Sequence, residues 1–207
     1  DGATYERVAS WARDLDCAIA YGFAEASPQG CFNSAMIVGP EGPLTHYRKI
    51  HLFDREKLWF EAGDLPFPVV EFRGTRLGLM VCFDWRFPES AQSLAFQGAD
   101  LIVHPSNLVL PWCPDAMITR ALENNVFIAT SDRWGVEARD GLELRFIGRS
   151  QIVGPRGQRL ASLGEEEDGV LLEEFDPVIA RDKQVTEHNH LYGDRRPDLY
   201  IGEPLAP

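Results

Sequence analysis

A cysteine separates an apolar run from a polar, bulky stretch in RLGLMVCFDWRFPES, residues 76–90. The preceding LGLMV is apolar enough for a buried strand, and Pro88 favours a helix start shortly after Cys82. In α/β folds, the C-terminal end of a strand beside a helix N-terminus faces the crevice where ligands bind. Cys82 is therefore a candidate nucleophile, and the alternative is an inert cysteine of the core.

The segment YRKIHL carries Lys49 between Tyr47 and His51. On a strand these three residues share one face, and a lysine that faces the interior is costly unless it is paired or used. The alternative is an edge strand that leaves Lys49 in water. The turn-rich loop REKLWFEAGD that follows contributes Glu56 and Glu61, which taken alone are typical surface carboxylates.

Other patterns indicate little further chemistry. HPSN places His104 and Asn107 after another apolar run, but a Cys-His pair of the protease kind has no local signature here. The sequence has no G-x-x-x-x-G-K-[ST], no strand followed by G-x-G-x-x-G and no H-E-x-x-H. Its four cysteines form no C-x-x-C pair, so neither a zinc site nor a disulfide framework is indicated.

Composition limits the class of protein. The chain has 207 residues, 44% hydrophobic and 25% charged, so a single domain over 1–207 can bury a sizeable core. Its formal net charge of −12 opposes binding to nucleic acid or to an anionic membrane. No apolar run reaches the roughly 18 residues of a membrane span, and DGATYERVASWARDLD at the start is too polar for a signal peptide. These features predict a cytoplasmic protein with reduced thiols.

Helices and strands alternate along the chain. Residues 3–15 have the apolar spacing of a helix, and the CAIAYGFAE that follows is a short apolar run suited to a buried strand. Turns at Gly42 and Gly74 predict two hairpins, and Pro88 and Gly98 bound a second helix. LIVHPSN and VFIATSD predict strands on either side of a helix in PDAMITRALENN. This order favours a layered α/β domain with a mixed sheet, followed by a polar tail.

Several motifs taken together resemble one family. YRKIHLF, EKLWFEAGD, GLMVCFDWRFPE, RALENNVFIATSDRWG and FIGRSQIVGPRG follow in the order and with the gaps of the nitrilase superfamily of carbon-nitrogen hydrolases. The likeness runs from about residue 1 to about residue 200 and is greatest to the amidase and carbamoylase-like branch. The resemblance implies a four-layer α-β-β-α sandwich with mixed sheets.

The resemblance also assigns roles to residues. Cys82 matches the nucleophile of the family, Lys49 its lysine, and Glu56 a second glutamate that many members place beside the triad. The first glutamate of the family lies in a PE motif before the helix that opens this sequence. We therefore expect the sequence to be N-terminally incomplete, without a strand-helix-strand unit and its general base.

The mechanism that the resemblance implies is attack of the Cys82 thiol on an amide carbon, followed by hydrolysis of the thioester. Lys49 and the backbone N–H of Phe83 would hold the oxyanion, without a metal or organic cofactor. Nitrilases of the family usually have Trp after the cysteine, so Phe83 favours a small amide or N-carbamoyl amine over a nitrile. Further candidates for oxyanion or substrate contacts are Asp84, Trp85 and Asn107, and Trp112 and Trp134 lie in loops expected near the pocket, although the three tryptophans could equally be core or dimer contacts.

The resemblance further implies a homodimer or larger homo-oligomer. Members of the family pair through the helices after the nucleophile strand and through the C-terminal tail. Here the tail, residues 175–207, would pack on the domain or across the dimer. An alternative function is a catalytically silent member that binds a ligand or partner, motivated by the absent first glutamate. Another is an isochorismatase-like hydrolase, but the hairpins at Gly42 and Gly74 favour the nitrilase arrangement over a doubly wound parallel sheet.

Overall fold

The structure, a computed structural model, describes residues 2–139 and 141–200. Its helices are α1 (Ala3–Asp14), α2 (Pro88–Phe96) and α3 (Cys113–Asn124). Its strands are β1 (Ile19–Ser27), β2 (Gly30–Gly39), β3 (Gly42–Arg48), β4 (Val69–Phe72), β5 (Thr75–Leu79), β6 (Leu101–Ser106), β7 (Phe127–Asp132), β8 (Trp134–Arg139), β9 (Leu142–Ile147), β10 (Gln151–Val153) and β11 (Arg159–Ser162).

These strands form two principal sheets and a ribbon. The first sheet is antiparallel, in the order β1-β2-β3, and the second is mixed, in the order β11-β10-β7-β6-β5-β4. In the second sheet β6 runs parallel to both β5 and β7. The other neighbouring strands of that sheet pair antiparallel. Strands β8 and β9 pair only with each other within the described ranges.

The alternation of side chains along β2 explains the layering. Met36 and Val38 face α1, where Val38 is buried against Ala9 and Ala12. Ile37 points the other way, into a core shared with the second sheet. Successive side chains of a strand point to opposite faces, so a strand apolar at every position is buried on both.

The second sheet carries the other helical layer. Helices α2 and α3 pack on its outer face and on each other, and Leu94 of α2 and Met117 of α3 have no exposed surface. The order is therefore α1, first sheet, second sheet, then α2 with α3, which confirms the predicted α-β-β-α sandwich.

The boundaries depart from the sequence predictions in two places. Part of the segment expected to be an irregular loop forms a 3₁₀ helix over Asp54–Leu58. Strand β3 ends at Arg48, one residue before Lys49, although the backbone N–H of Lys49 still donates to Asn33 O at 2.8 Å. Strand β3 lies at the sheet edge, as one alternative held, yet Lys49 is fully buried, so the prediction that an edge position leaves it in water is wrong.

The tail after β11 folds back on the second sheet. Arg181 donates to both oxygens of Asp100, a carboxylate that is 1% exposed, and Lys183 Nζ donates to Asn124 O at the end of α3. Over residues 2–139 and 141–200, no helix is both long and apolar enough to cross a membrane.

Candidate active site

Cys82 lies at the tip of a tight turn that follows β5. It is the first residue of a 3₁₀ helix, Cys82–Arg86, and its φ of 45° lies in the left-handed region. That conformation costs a residue other than glycine roughly 1–2 kcal/mol, so neighbouring contacts must hold it. His104 Nε2 lies 2.9 Å from Cys82 O, and Asp84 Oδ2 accepts from the Val81 N–H at 2.8 Å.

Asp84 ties this turn to the first sheet. Its side chain has no exposed surface. Tyr47 OH donates to its Oδ2 at 2.8 Å, and His51 Nδ1 lies 2.8 Å from its Oδ1. Tyr47 and His51, which flank Lys49 in the sequence, therefore both contact the carboxylate that fixes the turn of Cys82.

Lys49 forms a buried ion pair with Glu56. Lys49 Nζ donates to Glu56 Oε2 at 2.7 Å, and the lysine side chain has no exposed surface. The N–H of Phe53 donates to the same oxygen at 2.7 Å, and Asn33 Nδ2 donates to Glu56 Oε1 at 3.0 Å. Both carboxylate oxygens are thus engaged, which suits Glu56 to orient Lys49 rather than to transfer a proton.

The sulfur of Cys82 is largely enclosed. Its Sγ donates to the backbone oxygen of Asn107, with 3.7 Å between the two atoms. Burial raises the pKa of the Cys82 thiol, and the positive charge of Lys49 opposes that shift. Because the thiolate is the nucleophilic form, the resting thiol needs a base or a bound substrate to become reactive.

His104 supports the turn and does not reach the sulfur. Its Nδ1 lies 3.1 Å from Thr130 Oγ1, and its Nε2 contacts the backbone oxygen of Cys82. Burial lowers the pKa of His104 to about 4, so the ring is neutral at neutral pH, with the Nε2 proton facing Cys82 O. The Cys-His pair considered from the sequence is therefore a backbone contact.

A cavity of about 620 Å³ opens beside the thiol. Cys82, Glu56 and Asn107 line it, and so does Asn33. The remaining wall is partly aromatic and partly polar, formed by Tyr21, Phe23, Phe60, Ser106, Ser131, Asp132 and Arg133 together with small residues of β1. A cavity of this size suits a small organic molecule whose polar group approaches the sulfur.

The structure places the other predicted site residues outside this cavity. Phe83 and Trp85 line a small crevice on the other side of Cys82, and Asp84 is enclosed below the turn. Trp112 is exposed, and Trp134 begins β8 and donates its indole N–H to Asp168. Among the described residues, no cluster of three or more His, Cys, Asp or Glu side chains could hold a metal ion.

Sequence reasoning missed Asn33 and Asp132. Asn33 is a polar residue inside the apolar strand FNSAMIV, a pattern that signals an internal hydrogen bond. Asp132 ends β7, the parallel neighbour of β6, so it shares a sheet edge with Asn107. Adjacent parallel strands have their C-terminal ends on the same side of the sheet. Because VFIATSD was predicted to be a strand, Asp132 at its end could have been predicted to lie near Asn107.

Known proteins resemble this chain over most of its length. Residues 1–184 match the family model described as carbon-nitrogen hydrolase. The chain is 45% identical over 201 residues to a nitrilase of Pyrococcus abyssi, covering 97% of this chain and 75% of the relative. It is 32% identical to N-carbamoylputrescine amidase of Solanum tuberosum, covering 95% of this chain and 71% of that one.

Solved structures give the same family. An amidase from Nesterenkonia sp. superposes with a TM-score of 0.71 at 32% identity, covering 78% of this chain and 62% of that one. A carbon-nitrogen hydrolase from Helicobacter pylori superposes with a TM-score of 0.75 at 26% identity, covering 80% and 64%. The chain thus spans less than two thirds of these two structures. A family match over most of the chain, together with the shared fold, shows that this protein belongs to the carbon-nitrogen hydrolase family, in the amidase-like branch of the nitrilase superfamily.

Proposed function

We propose that this protein hydrolyses the carbon-nitrogen bond of a small amide or N-carbamoyl amine through a thioester on Cys82. The observation that carries the proposal is the placement of the Cys82 thiol at a cavity whose wall also holds Glu56, the partner of the buried Lys49. This arrangement offers a nucleophile together with a fixed positive charge for the oxyanion.

The first half of the reaction forms the thioester. Cys82 Sγ attacks the amide carbon and loses its proton, and the carbonyl oxygen becomes negatively charged. Lys49 has three N–H donors, of which Glu56 takes one, so another is available to that oxygen. The Phe83 N–H is a second donor, because the first N–H groups of a helix lack intrahelical acceptors.

Collapse of the tetrahedral intermediate breaks the carbon-nitrogen bond. The nitrogen takes a proton and leaves as ammonia or an amine, and water then attacks the thioester to release the acid and restore the thiol. In the family pattern a glutamate carries the proton from the thiol to the leaving nitrogen. Glu56 orients Lys49, and Asp84 fixes the turn of Cys82 instead of contacting substrate.

Two features support an amide or carbamoyl substrate. Phe83 follows the cysteine where nitrilases usually have Trp, and the similar proteins include an amidase and an N-carbamoylputrescine amidase. The cavity of about 620 Å³ favours a small molecule, and its aromatic wall at Tyr21 and Phe60 would contact an apolar part of it.

We also propose that the protein is a cytoplasmic homodimer that pairs through the helices after the nucleophile strand. Phe96 of α2 and Leu122 of α3 expose 44% and 55% of their surface, so both are open to contact with a second protomer. Light scattering on the purified protein tests this: a dimer that Leu122→Glu converts to a monomer supports the proposal, and a monomeric wild type contradicts it.

Mass spectrometry tests the hydrolase proposal. The protein is incubated with short aliphatic amides and N-carbamoyl amines and quenched in acid, and a mass increase equal to the acyl group is expected on the peptide that holds Cys82. Cys82→Ala should lose both the adduct and the turnover. Cys31→Ala is the matched control, because Cys31 is exposed and lies outside the cavity.

If the gene encodes residues upstream of Asp1, the same assay includes the longer chain. Losing a general base costs about 10²- to 10⁴-fold in rate, so the longer chain should turn over faster if those residues supply the glutamate. Undiminished turnover in Cys82→Ala would overturn the mechanism. Binding of the amides to both chains without adduct or turnover would favour the silent, ligand-binding alternative.

A further inference from the structure

Asp132 is connected to the nucleophile through one loop. Its Oδ1 accepts from the N–H of Leu108 at 2.8 Å. Leu108 follows Asn107, whose backbone oxygen accepts from the sulfur of Cys82. The loop that touches the thiol is therefore held from the end of the neighbouring strand, with Ser106 of β6 in register with Asp132 of β7.

The backbone of Asp132 is also held by hydrogen bonds. Ser150 Oγ donates to Asp132 O at 3.0 Å and accepts from Asp132 N at 2.9 Å. The second carboxylate oxygen, Oδ2, is buried and makes no hydrogen bond within residues 2–139 and 141–200. A buried oxygen without a partner costs free energy, so we expect a functional role for this carboxyl group, which lines the same cavity as Cys82.

The charges around this carboxyl group make it responsive near neutral pH. Burial raises the pKa of Asp132 to about 7, and the N–H groups of Leu108 and Arg133 oppose that shift. The positive charge of Arg133 also opposes the shift, although its guanidinium pairs with Glu137 and lies over the ring of Phe146. Burial outweighs these contacts, so the carboxyl group ionises at a higher pH than an ordinary aspartate.

The thiol of Cys82 is exposed to three charges from three elements. Lys49 comes from the end of β3 and favours the thiolate, whereas Glu56 of the 3₁₀ helix and Asp132 of β7 disfavour it by raising the thiol pKa. Asp132 acts in the same direction on Cys113 of α3, a second buried thiol. Of these charges, the Asp132 carboxylate alone is tied to the loop that contacts the sulfur.

We propose that Asp132 is a positioning residue for Cys82: it fixes the loop of Asn107 against the sulfur, and its negative charge determines how readily the thiol ionises. This role deepens the proposed function and rests on it for its catalytic meaning. The effect on the thiol itself is independent of hydrolysis. Protonated Asp132 leaves Lys49 to favour the thiolate, and ionised Asp132 opposes it.

Alkylation kinetics test this proposal without requiring turnover. Iodoacetamide is added between about pH 5 and pH 10, and modification of the Cys82 peptide is followed by mass spectrometry. Asp132→Asn keeps an oxygen for the Leu108 N–H but cannot ionise, so its thiol should ionise at lower pH. At about pH 8 we expect Cys82 of this variant to react several-fold faster than in the wild type, because the charge that raises the thiol pKa is gone.

Two matched variants separate charge from structure. Asp132→Glu keeps the charge and should retain the slower reaction at about pH 8, whereas Asp198→Asn removes an exposed carboxylate of the tail and should match the wild type. Superimposable pH profiles for Asp132→Asn and wild type would overturn the proposal, because a purely structural role predicts them.

If Asp132→Asn does not fold, the pH profile of the wild type tests the proposal by itself. The pH profile of its alkylation rate should then show two ionisations: the rise with pH becomes less steep near pH 7, where Asp132 ionises and opposes the thiolate, and the rate levels off at higher pH, where the thiol itself ionises. A single ionisation would contradict the proposal. If the profiles behave as expected while no amide is hydrolysed, the effect on the thiol stands and the proposed hydrolase function fails.

Discussion

Lys49 Nζ lies 2.7 Å from Glu56 Oε2, and no part of the lysine side chain is exposed. The two residues are seven positions apart, one just past a strand and the other in a 3₁₀ helix. A buried cation of this kind persists only because the carboxylate compensates it. The pair therefore links the stability of the fold to the chemistry proposed for the thiol.

Glu56→Gln should lower the free energy of unfolding by about 3–5 kcal/mol, because it leaves Lys49 as a buried charge without a counter-ion. Urea unfolding at neutral pH measures the change. Glu166→Gln is the control, since Glu166 forms an ion pair with Arg145 in which both side chains are exposed, and it should change stability much less. Equal losses in the two variants would show that Lys49 finds compensation elsewhere.

Asn33 should be needed to orient Glu56. Asn33→Ala removes the 3.0 Å hydrogen bond to Glu56 Oε1 and should cost about 1.5–3 kcal/mol in unfolding free energy, the value of a bond to a charged acceptor. Asn33→Asp should cost more, because it places a second carboxylate against the first. Urea unfolding and amide turnover are measured together.

The two Asn33 variants can also contradict the proposed role of Glu56. Turnover should fall in the order wild type, Asn33→Ala, Asn33→Asp, since a displaced Glu56 displaces Lys49. Ser27→Ala, in the hairpin between β1 and β2, serves as the control. An Asn33→Asp variant with full turnover would mean that Glu56 does not orient the lysine.

The sequence predicted the elements well because their apolar periods are long. The first helix was expected over residues 3–15 and covers Ala3–Asp14, and the hairpin at Gly74 and the helix beginning at Pro88 were found where turn and helix-start residues indicated. The motifs also identified Cys82 and Lys49 as candidates. Their positions in one site follow from the fold.

Local sequence patterns could not predict which side chains of different elements contact one another. Glu56 lies in a turn-rich segment without a periodic pattern, so nothing local indicated that it meets Lys49 in the interior. Asp84 was a candidate substrate contact because it lies in the motif of the nucleophile. In the structure Tyr47 and His51 engage it from another sheet, and such long-range hydrogen bonds leave no spacing signature.

His104 should make the protein less stable as the pH falls. Its pKa is lowered by burial from 6.5 to about 4, so the unfolded chain binds more protons than the folded one between these values. The stabilising contribution is complete above pH 6.5 and is lost as the pH falls to about 4, with a size of about 3 kcal/mol by linkage.

A comparison with His104→Gln isolates this contribution. Asp132 acts in the opposite sense over a similar range, because its pKa is raised by burial to about 7, so the wild-type profile alone mixes the two. The difference in unfolding free energy between wild type and His104→Gln cancels the Asp132 contribution. That difference should grow in favour of the wild type from about pH 4 to pH 6.5, and a flat difference would show that His104 is charged in the fold.

Arg181→Gln should release the C-terminal tail. Arg181 donates to both oxygens of Asp100, and with Arg76 it lowers the pKa of that carboxyl to about 2 although burial acts the other way. In the variant, Asp100 keeps its ion pair with Arg76 but loses that with Arg181, and the bond from Arg181 to Gly74 O is also lost. Cleavage by chymotrypsin after Tyr192 should become several-fold faster, because the tail must detach for the protease to reach it.

Arg196→Gln is the matched control for the tail, since Arg196 pairs with Asp198 in an exposed contact within the tail itself. It should leave the cleavage rate near that of the wild type. The Asp100 contact contributes stability above its ordinary pKa of 3.8, and this is lost as the pH falls towards about 2, so wild-type cleavage should approach that of Arg181→Gln near the lower value. The measurement at low pH uses an acid-stable protease. Equal cleavage of wild type and Arg181→Gln at neutral pH would show that Lys183 and Tyr192 hold the tail without Arg181.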